Sequence, residues 1–102
     1  MIRYVLAPAA RDDLRSIFDY LESQSIPTAI RYDKLIHAAF LRIAQSPQLG
    51  HRRADLQDPS IRCWVVPPYL IFYLEQTAPL QIVAILHGAR DIPSVFQGPD
   101  RP

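Results

Sequence analysis

Apolar residues in the first half of the chain recur at the spacing of an α-helix. After Pro8 they stand at offsets of 4, 7, 8 and 11 from the first, with charged residues between them. A second stripe follows Pro27 and stops at Ser46-Pro47. The break between the two, residues 23–25, is short enough to predict an antiparallel helical hairpin. The two stripes are Ala10, Leu14, Ile17, Phe18 and Leu21, then Tyr32, Ile36, Ala39, Phe40 and Ile43.

The other apolar runs are short and rich in β-forming residues, which is typical of strands. Residues 2–6 predict one strand before the helices, and a polar loop over residues 47–60 separates the helices from the later strands. We expect Asp91 to cap a final helical turn. The later strands and this turn are predicted at residues 61–66, 69–75, 80–86 and 92–97. The order βααβββ(α) predicts an α+β fold, with an antiparallel-rich sheet and the helical hairpin packed on one face.

The predicted strands are apolar on both faces. An antiparallel sheet covered on one side normally alternates apolar and polar residues, and these runs do not alternate. Two helices can cover one face of so small a sheet. We therefore expect the face that carries Tyr69, Ile71 and Tyr73 to be exposed and to bind a partner. The alternative is that the loop over residues 47–60 and the C-terminal tail cover it, or that the chain self-associates.

Length and composition narrow the class of protein. The chain has 102 residues, 49% of them hydrophobic, which predicts one ordered domain over residues 1–97 and a flexible tail over residues 98–102. Cys63 has no second cysteine to pair with. Neither a signal peptide nor a long apolar run is evident, so the sequence predicts a cytoplasmic protein that does not span a membrane. The net charge of +1 gives no general attraction to nucleic acid.

Arginine dominates the candidate chemistry. Ten of the eleven basic residues are arginine, and the histidines and the cysteine lack the spacing of metal ligands, so we expect no metal and no cofactor. If the strands form a meander, Arg52, Arg53, Arg62 and Arg90 can converge on one end or face of the sheet. Such a set binds phosphates or stabilises charge while His or Tyr moves protons. The alternative is separate ion pairs, such as Arg53 with Asp55.

Several segments resemble the RelE/ParE superfamily of toxins from bacterial toxin–antitoxin modules. The resemblance spans residues 2–96 and implies a β-α-α-β-β-β(-α) fold and a cognate antitoxin whose flexible C-terminal segment wraps the toxin. The segments that carry it are Ser46-Pro47-Gln48-Leu49-Gly50, Arg52-Arg53, Ile61-Arg62, Tyr69-Leu70-Ile71-Phe72-Tyr73 and Ile85-Leu86-His87-Gly88-Ala89-Arg90-Asp91.

The superfamily implies two alternative targets. RelE-type members cut mRNA on the ribosome, and the resemblance places Arg53, Arg62 and Arg90 at their basic positions, with His87 as a substitute proton-transfer group. ParE-type members inhibit DNA gyrase. Phe96 stands where a RelE-type enzyme carries tyrosine, and phenylalanine cannot transfer a proton. The resemblance therefore favours a ParE-like gyrase inhibitor over a hydrolase. A third possibility is a binding module that keeps the fold and has no toxic target.

The ParE-like interpretation implies a hetero-oligomer with a ParD-like antitoxin. We expect the antitoxin segment to contact the apolar sheet residues Trp64, Tyr69, Ile71 and Tyr73. We expect the target, DNA gyrase, to contact Arg90 and Phe96.

Overall fold

The computed structural model describes residues 3–98 and 101 of the chain. Within that part it contains three helices and four strands in the predicted order. The elements are β1 (Tyr4–Leu6), α1 (Pro8–Gln24), α2 (Ile26–Gln45), β2 (Ile61–Val66), β3 (Tyr69–Leu74), β4 (Leu80–His87) and α3 (Ile92–Phe96). Most bounds lie within a residue of the prediction, and Ile2 of the predicted first strand lies outside the described residues.

One residue, Ser25, separates the two long helices, so the predicted break was too long. Ser25 is extended, with φ −165° and ψ 117°, which ends α1 at Gln24. Its hydroxyl accepts a hydrogen bond from the Thr28 backbone N–H at 3.3 Å and caps α2, while Pro27 occupies the first turn. The cap explains why the helical pattern resumes at once.

The four strands form one mixed sheet in the order β1-β4-β3-β2. Strand β1 is parallel to β4, and the other neighbours are antiparallel. Phe72 pairs with Ala84 while Tyr73 pairs with Ile82, so Val83 is an extra residue, a β-bulge in β4. Pairing between β1 and β4 stops at Ile82, and among residues 3–98 and 101 no strand lies beside the rest of that edge of β4.

The helical hairpin covers the sheet face that carries Tyr69, Ile71 and Tyr73. These side chains are 6%, 0% and 0% exposed and pack with the apolar stripes of both helices. The expectation that this face is exposed was wrong, because the side chains of these alternate residues of β3 point toward the helices. Ile71 and Tyr73 therefore cannot contact an antitoxin on this fold without a rearrangement of the core.

The opposite sheet face is also covered, which explains the absence of alternation in the strands. Its buried residues are Ile61, Cys63, Phe72, Val83, Ala84 and Leu86, and Ile92 of α3 packs against them. Leu56 from the long loop and Val95 and Phe96 from the C-terminal side complete this second core. The loop over residues 47–60 therefore does cover part of the sheet, through Leu56, but on this face and not, as the alternative had it, on the face of Tyr69, Ile71 and Tyr73. Both faces of the sheet are apolar because each is buried, one under the helical hairpin and the other under the loop and α3.

The loop after α2 is held by a buried tyrosine. The Tyr73 hydroxyl donates a hydrogen bond to the Pro47 carbonyl at 2.6 Å and accepts one from the Gly50 backbone N–H at 2.8 Å. Burial raises the pKa of Tyr73 above that of free tyrosine. Next to it, His51 exchanges backbone hydrogen bonds with Cys63 at 2.9 and 2.7 Å. The loop therefore enters the sheet along the outer edge of β2.

Beyond β4 the chain turns into α3. Asp91 stands at the N-cap position as predicted, but its carboxylate accepts a hydrogen bond from the Ser94 hydroxyl at 2.7 Å instead of from a backbone N–H. Of the tail predicted to be flexible, residues 99, 100 and 102 lie outside the described residues. Arg101 is described, and its guanidinium donates to the Val83 carbonyl at 2.8 Å and to Asp13 at 2.7 Å.

Candidate functional grooves

The predicted arginine set comes together only in part, because Arg62 and Arg90 lie far apart. Arg62 lies near the start of β2 opposite Tyr73, which in turn pairs with Ile82. Arg90 follows the far end of β4, beyond His87. His87 lies five positions after Ile82 along β4, and at about 3.4 Å per position these two ends of the sheet are roughly 17 Å apart. The expectation that Arg90 joins Arg62 was wrong, because β2 and β4 run in the same direction.

Two of the arginines are held by one carboxylate. Glu75, whose side chain is 9% exposed, accepts hydrogen bonds from Arg62 Nε at 2.7 Å and from Arg52 Nη2 at 2.5 Å. Arg62 also donates to the Gly50 carbonyl at 2.7 Å. The hydrogen bond from Arg62, followed by that from Arg52, lowers the pKa of Glu75. This arrangement ties the long loop to β2 and the end of β3.

The ion network at Glu75 predicts a specific loss of stability in acid. Because the folded pKa of Glu75 is lowered, its stabilising contribution is complete above the unfolded value of about 4.3 and is lost as pH falls through the folded pKa. We expect the Glu75→Gln variant to show a flatter dependence of unfolding free energy on pH below about 4.3, as measured by urea unfolding. The matched control is Glu22→Gln on the exposed side of α1. Parallel curves for Glu75→Gln and the unaltered chain would contradict the role of Glu75.

Arg53 forms the local ion pair that the sequence offered as an alternative. Its Nε and Nη2 donate to the two carboxylate oxygens of Asp55 at 2.9 and 2.7 Å. The hydrogen bond raises the pKa of Arg53 and lowers that of Asp55. Cys63 is buried beneath this loop, and burial raises the pKa of its thiol to about 11, so it is not activated as a nucleophile.

The residues expected to contact the target lie in different environments. Arg90 is exposed and has no ion pair within the described part of the chain. The side chain of His87 is exposed too, and its Nδ1 accepts a hydrogen bond from the Ala89 backbone N–H at 3.0 Å. Phe96 packs edge-to-face on Phe72, with 5.1 Å between ring centroids. Phe96 therefore belongs largely to the second core, whereas Arg90 is available to a partner.

An aromatic groove lies next to Arg90. It has a volume of about 530 Å³ and runs between α1 and the ends of β3 and β4, with Asp13 at one end. Tyr32, Tyr69 and His87 form a series of edge-to-face contacts along it, with centroids 5.6 and 5.9 Å apart. Tyr20 adds a side chain that is 61% exposed. The groove offers flat apolar surface beside a free guanidinium.

A second groove lies between α2 and β2 and contains Trp64. Its volume is about 680 Å³, and its lining includes Leu35, Leu41, Val65 and Trp64. The first three of these are nearly half exposed. Tyr32 lines this groove as well as the aromatic one, and its hydroxyl donates to the Pro67 carbonyl at 3.4 Å. Of the four residues predicted to bind an antitoxin, Trp64 is the one that contributes to this surface.

Positive charge flanks the α2–β2 groove. The Arg42 guanidinium lies over the Trp64 ring at 5.8 Å, and Arg31 lies over Tyr32 at 5.3 Å. Neither arginine pairs with a carboxylate among the described residues. Arg31 and Arg42 are not among the predicted site residues, because the prediction for α2 rests on its buried stripe. Leu35 and Leu41 lie off that stripe, and such misplaced leucines were the available sign of a second apolar surface.

The edge of β2 borders the same groove. Cys63 pairs its backbone groups outward with His51, so alternation directs those of Val65 outward as well. The N–H and C=O of Val65 have no partner in residues 3–98 or 101. The groove thus combines apolar side chains, free guanidinium groups and an open stretch of strand.

Metal and membrane chemistry find no support in the described residues. No group of three or more His, Cys, Asp or Glu side chains in residues 3–98 or 101 is placed to hold a metal ion. No helix in that part of the structure is long and apolar enough to cross a bilayer.

Comparison with known families shows the class of protein to which the chain belongs. The family described as the ParE toxin of the type II toxin–antitoxin system, parDE, matches residues 4–92, which is most of the chain. The chain belongs to the ParE toxin family. No curated protein sequence matches it. Membership in the ParE family makes the chain the toxin component of a type II system, and such a toxin has an antitoxin partner.

The stretch that matches the ParE family runs from β1 to the first residue of α3. It therefore includes both grooves, the Glu75 network and Arg90. Phe96 and Arg101 lie beyond it, so the features of those two residues are not described by the ParE match.

Proposed function

We propose that this ParE-family toxin inhibits DNA gyrase and is neutralised by a ParD-like antitoxin in a hetero-oligomer in the cytoplasm. The observation that carries the proposal is the family match over residues 4–92, within which Arg62 and Arg90 lie at opposite ends of the sheet. A phosphodiester-cleaving site needs its charge-stabilising groups around one phosphate. The separation favours inhibition by binding.

The α2–β2 groove is the proposed antitoxin site. Its exposed leucines and Trp64 fit the apolar face of an amphipathic helix or an extended segment. Arg31 and Arg42 favour carboxylates on that segment, and a guanidinium pairs with a carboxylate through two parallel hydrogen bonds. The free backbone groups of Val65 add two hydrogen bonds to an extended chain. Trp64 therefore remains a proposed antitoxin contact, whereas the buried residues Tyr69, Ile71 and Tyr73 do not.

The aromatic groove is the proposed target site, with Arg90 as its charged residue. Arg90 is exposed and has no carboxylate partner in the part of the chain that the structure describes. Tyr20 and His87 supply exposed ring surface beside it. Aromatic side chains and arginine are the residues that most often dominate protein interfaces. Phe96 supports this site from behind the sheet and does not itself form the contact surface.

A ribosome-dependent mRNA endonuclease is the second candidate. In its favour, Arg53, Arg62, His87 and Arg90 are all present. Against it, Arg62 is engaged by Glu75 and Gly50, and Arg53 by Asp55, so these guanidinium groups would have to leave their partners to bind RNA. His87 lies near Arg90 and far from Arg62.

Purified chain added to gyrase, relaxed or supercoiled plasmid and ATP tests the proposal. We expect loss of supercoiling and accumulation of cleaved DNA. We expect Arg90→Ala to need about tenfold more protein for the same effect, since a charged contact has been removed. Arg15→Ala, which removes an exposed arginine of α1, is the matched control. Codon-positioned cuts in mRNA on ribosomes, with unaffected gyrase, would replace this proposal by the endonuclease; inactivity in both assays would favour a non-toxic binding module.

A further inference from the structure

The outer edge of β4 is closed by side chains instead of by a strand. Beyond Ile82 the pairing with β1 has ended, and the bulge at Val83 leaves its carbonyl facing outward. An unpaired strand edge of this kind readily pairs with another chain. Here Asp13 Oδ2 accepts a hydrogen bond from the Ile85 N–H at 3.1 Å, and Arg101 Nη1 donates to the Val83 carbonyl at 2.8 Å.

The two side chains that close the edge also bind each other. Arg101 Nη2 donates to Asp13 Oδ1 at 2.7 Å, and the two side chains are 10% and 11% exposed. One ion pair therefore connects α1, β4 and the C-terminal side of the chain. Loss of either partner leaves the other, nearly buried charge without its counter-ion and frees a backbone group of β4. The pair acts as a unit, which we name the β4 latch.

We propose that the β4 latch keeps this chain from pairing with a second copy of itself along β4. An antiparallel arrangement about Ile85 is self-complementary, because the same residue supplies the N–H and the C=O on both sides. In that arrangement the Val83 end of one copy lies beside the His87 end of the other. Asp13 bonds Ile85 and Arg90 follows His87, and both line the aromatic groove, so this pairing turns a released Asp13 toward the end of the second copy that carries Arg90. Opposite charges thus favour the pairing once Arg101 has left.

The latch is a property of this chain and does not depend on the proposed target. Arg101 lies outside the stretch matched by the ParE family. Asp13 is committed to Ile85 and Arg101 and is not free to recruit a partner while the latch is closed.

Two measurements on the purified chain test the latch. At protein concentrations low enough to keep Arg101→Ala monomeric, we expect it to speed hydrogen exchange of the Ile85 amide by about tenfold or more, since the carboxylate that accepts its hydrogen bond loses its anchor. We also expect the average mass from light scattering to rise toward that of a dimer at protein concentrations where the unaltered chain shows no such rise. Arg15→Ala, on the exposed side of α1, should change neither quantity.

Two further variants guard against misfolding as an explanation. Arg101→Lys keeps the charge but cannot bridge Val83 and Asp13 with a planar fork, so it should give intermediate exchange and association. Adding Arg90→Glu to Arg101→Ala should abolish the association while Ile85 exchange stays fast. Unchanged exchange in Arg101→Ala and Arg101→Lys, or dimers that survive Arg90→Glu, would overturn the proposal.

Discussion

Replacing Gly50 with alanine is expected to lower the free energy of unfolding by about 3 kcal/mol, because the new methyl group has no room. A Cβ at this position would lie 2.8 Å from the Cys63 carbonyl oxygen, and closer still to the Tyr73 hydroxyl. Moving Tyr73 away breaks its hydrogen bonds with Pro47 and Gly50. Moving Cys63 disrupts the edge of β2. Urea unfolding followed by far-ultraviolet circular dichroism measures the loss.

Gly88→Ala provides the matched control for this change. A Cβ at Gly88 would meet the Pro68 carbonyl at 3.4 Å, an ordinary contact, and its φ does not require glycine. We expect its unfolding free energy to stay within about 0.5 kcal/mol of the unaltered chain, as for most surface substitutions. Equal losses of unfolding free energy in the two variants would show that the tight packing of Gly50 against Tyr73 is not the cause of the loss. A near-neutral Gly50→Ala would contradict the prediction directly.

The second large effect is expected at the α2–β2 groove. We expect Arg42→Glu to weaken antitoxin binding roughly 10- to 100-fold, since it replaces a charge-assisted hydrogen bond with repulsion from the antitoxin carboxylates. Calorimetric titration of the toxin variant with its cognate antitoxin gives the dissociation constant. The effect should shrink as salt is raised, because part of it is long-range electrostatic attraction.

Arg15→Glu is the matched control, since it makes the same charge reversal on the exposed side of α1, away from the groove lining. We expect it to change the dissociation constant less than about threefold. If both reversals weaken binding alike, net charge and not the groove explains the effect. If Arg42→Glu binds normally, the antitoxin occupies another surface.

The helices and the order of elements could be predicted because each rests on local information. The stripe Ile36, Phe40 and Ile43 specifies the buried side of α2 without reference to the rest of the chain. Prolines near each helix start and the Ser25 cap act within one helical turn. The family resemblance added the antitoxin partner, which no periodicity contains.

The faces of the sheet could not be predicted, for a physical reason. Strand β3 is apolar at every position, so its sequence does not show which alternate residues face the helices. That choice depends on tertiary packing. The cover on the other face comes from Leu56 in a polar loop and from the five-residue α3. Leu56 stands among polar residues, and α3 is too short to show a helical period, so neither segment is recognisable as part of a core from the sequence.

The prediction that Arg62 and Arg90 lie together was wrong for a different reason. Placing Arg62 and Arg90 together required β2 and β4 to present opposite ends to one site, whereas a meander makes alternate strands run the same way. The Glu75 contacts bring residues from a loop, a strand start and a strand end together. Such contacts follow from the register, which the sequence pattern does not specify.

Tyr32 is a wall of both grooves, and this has a thermodynamic consequence. A ligand that turns the ring while it binds in the α2–β2 groove also reshapes the aromatic groove beside Arg90. Linkage makes any such coupling free energy identical in both directions, so an antitoxin that lowers target affinity is itself bound more weakly by the target complex. The antitoxin can then neutralise the toxin without its binding site overlapping that of the target. Tyr32→Ala should reduce the coupling free energy toward zero, as measured by titrating each partner in the presence and absence of the other.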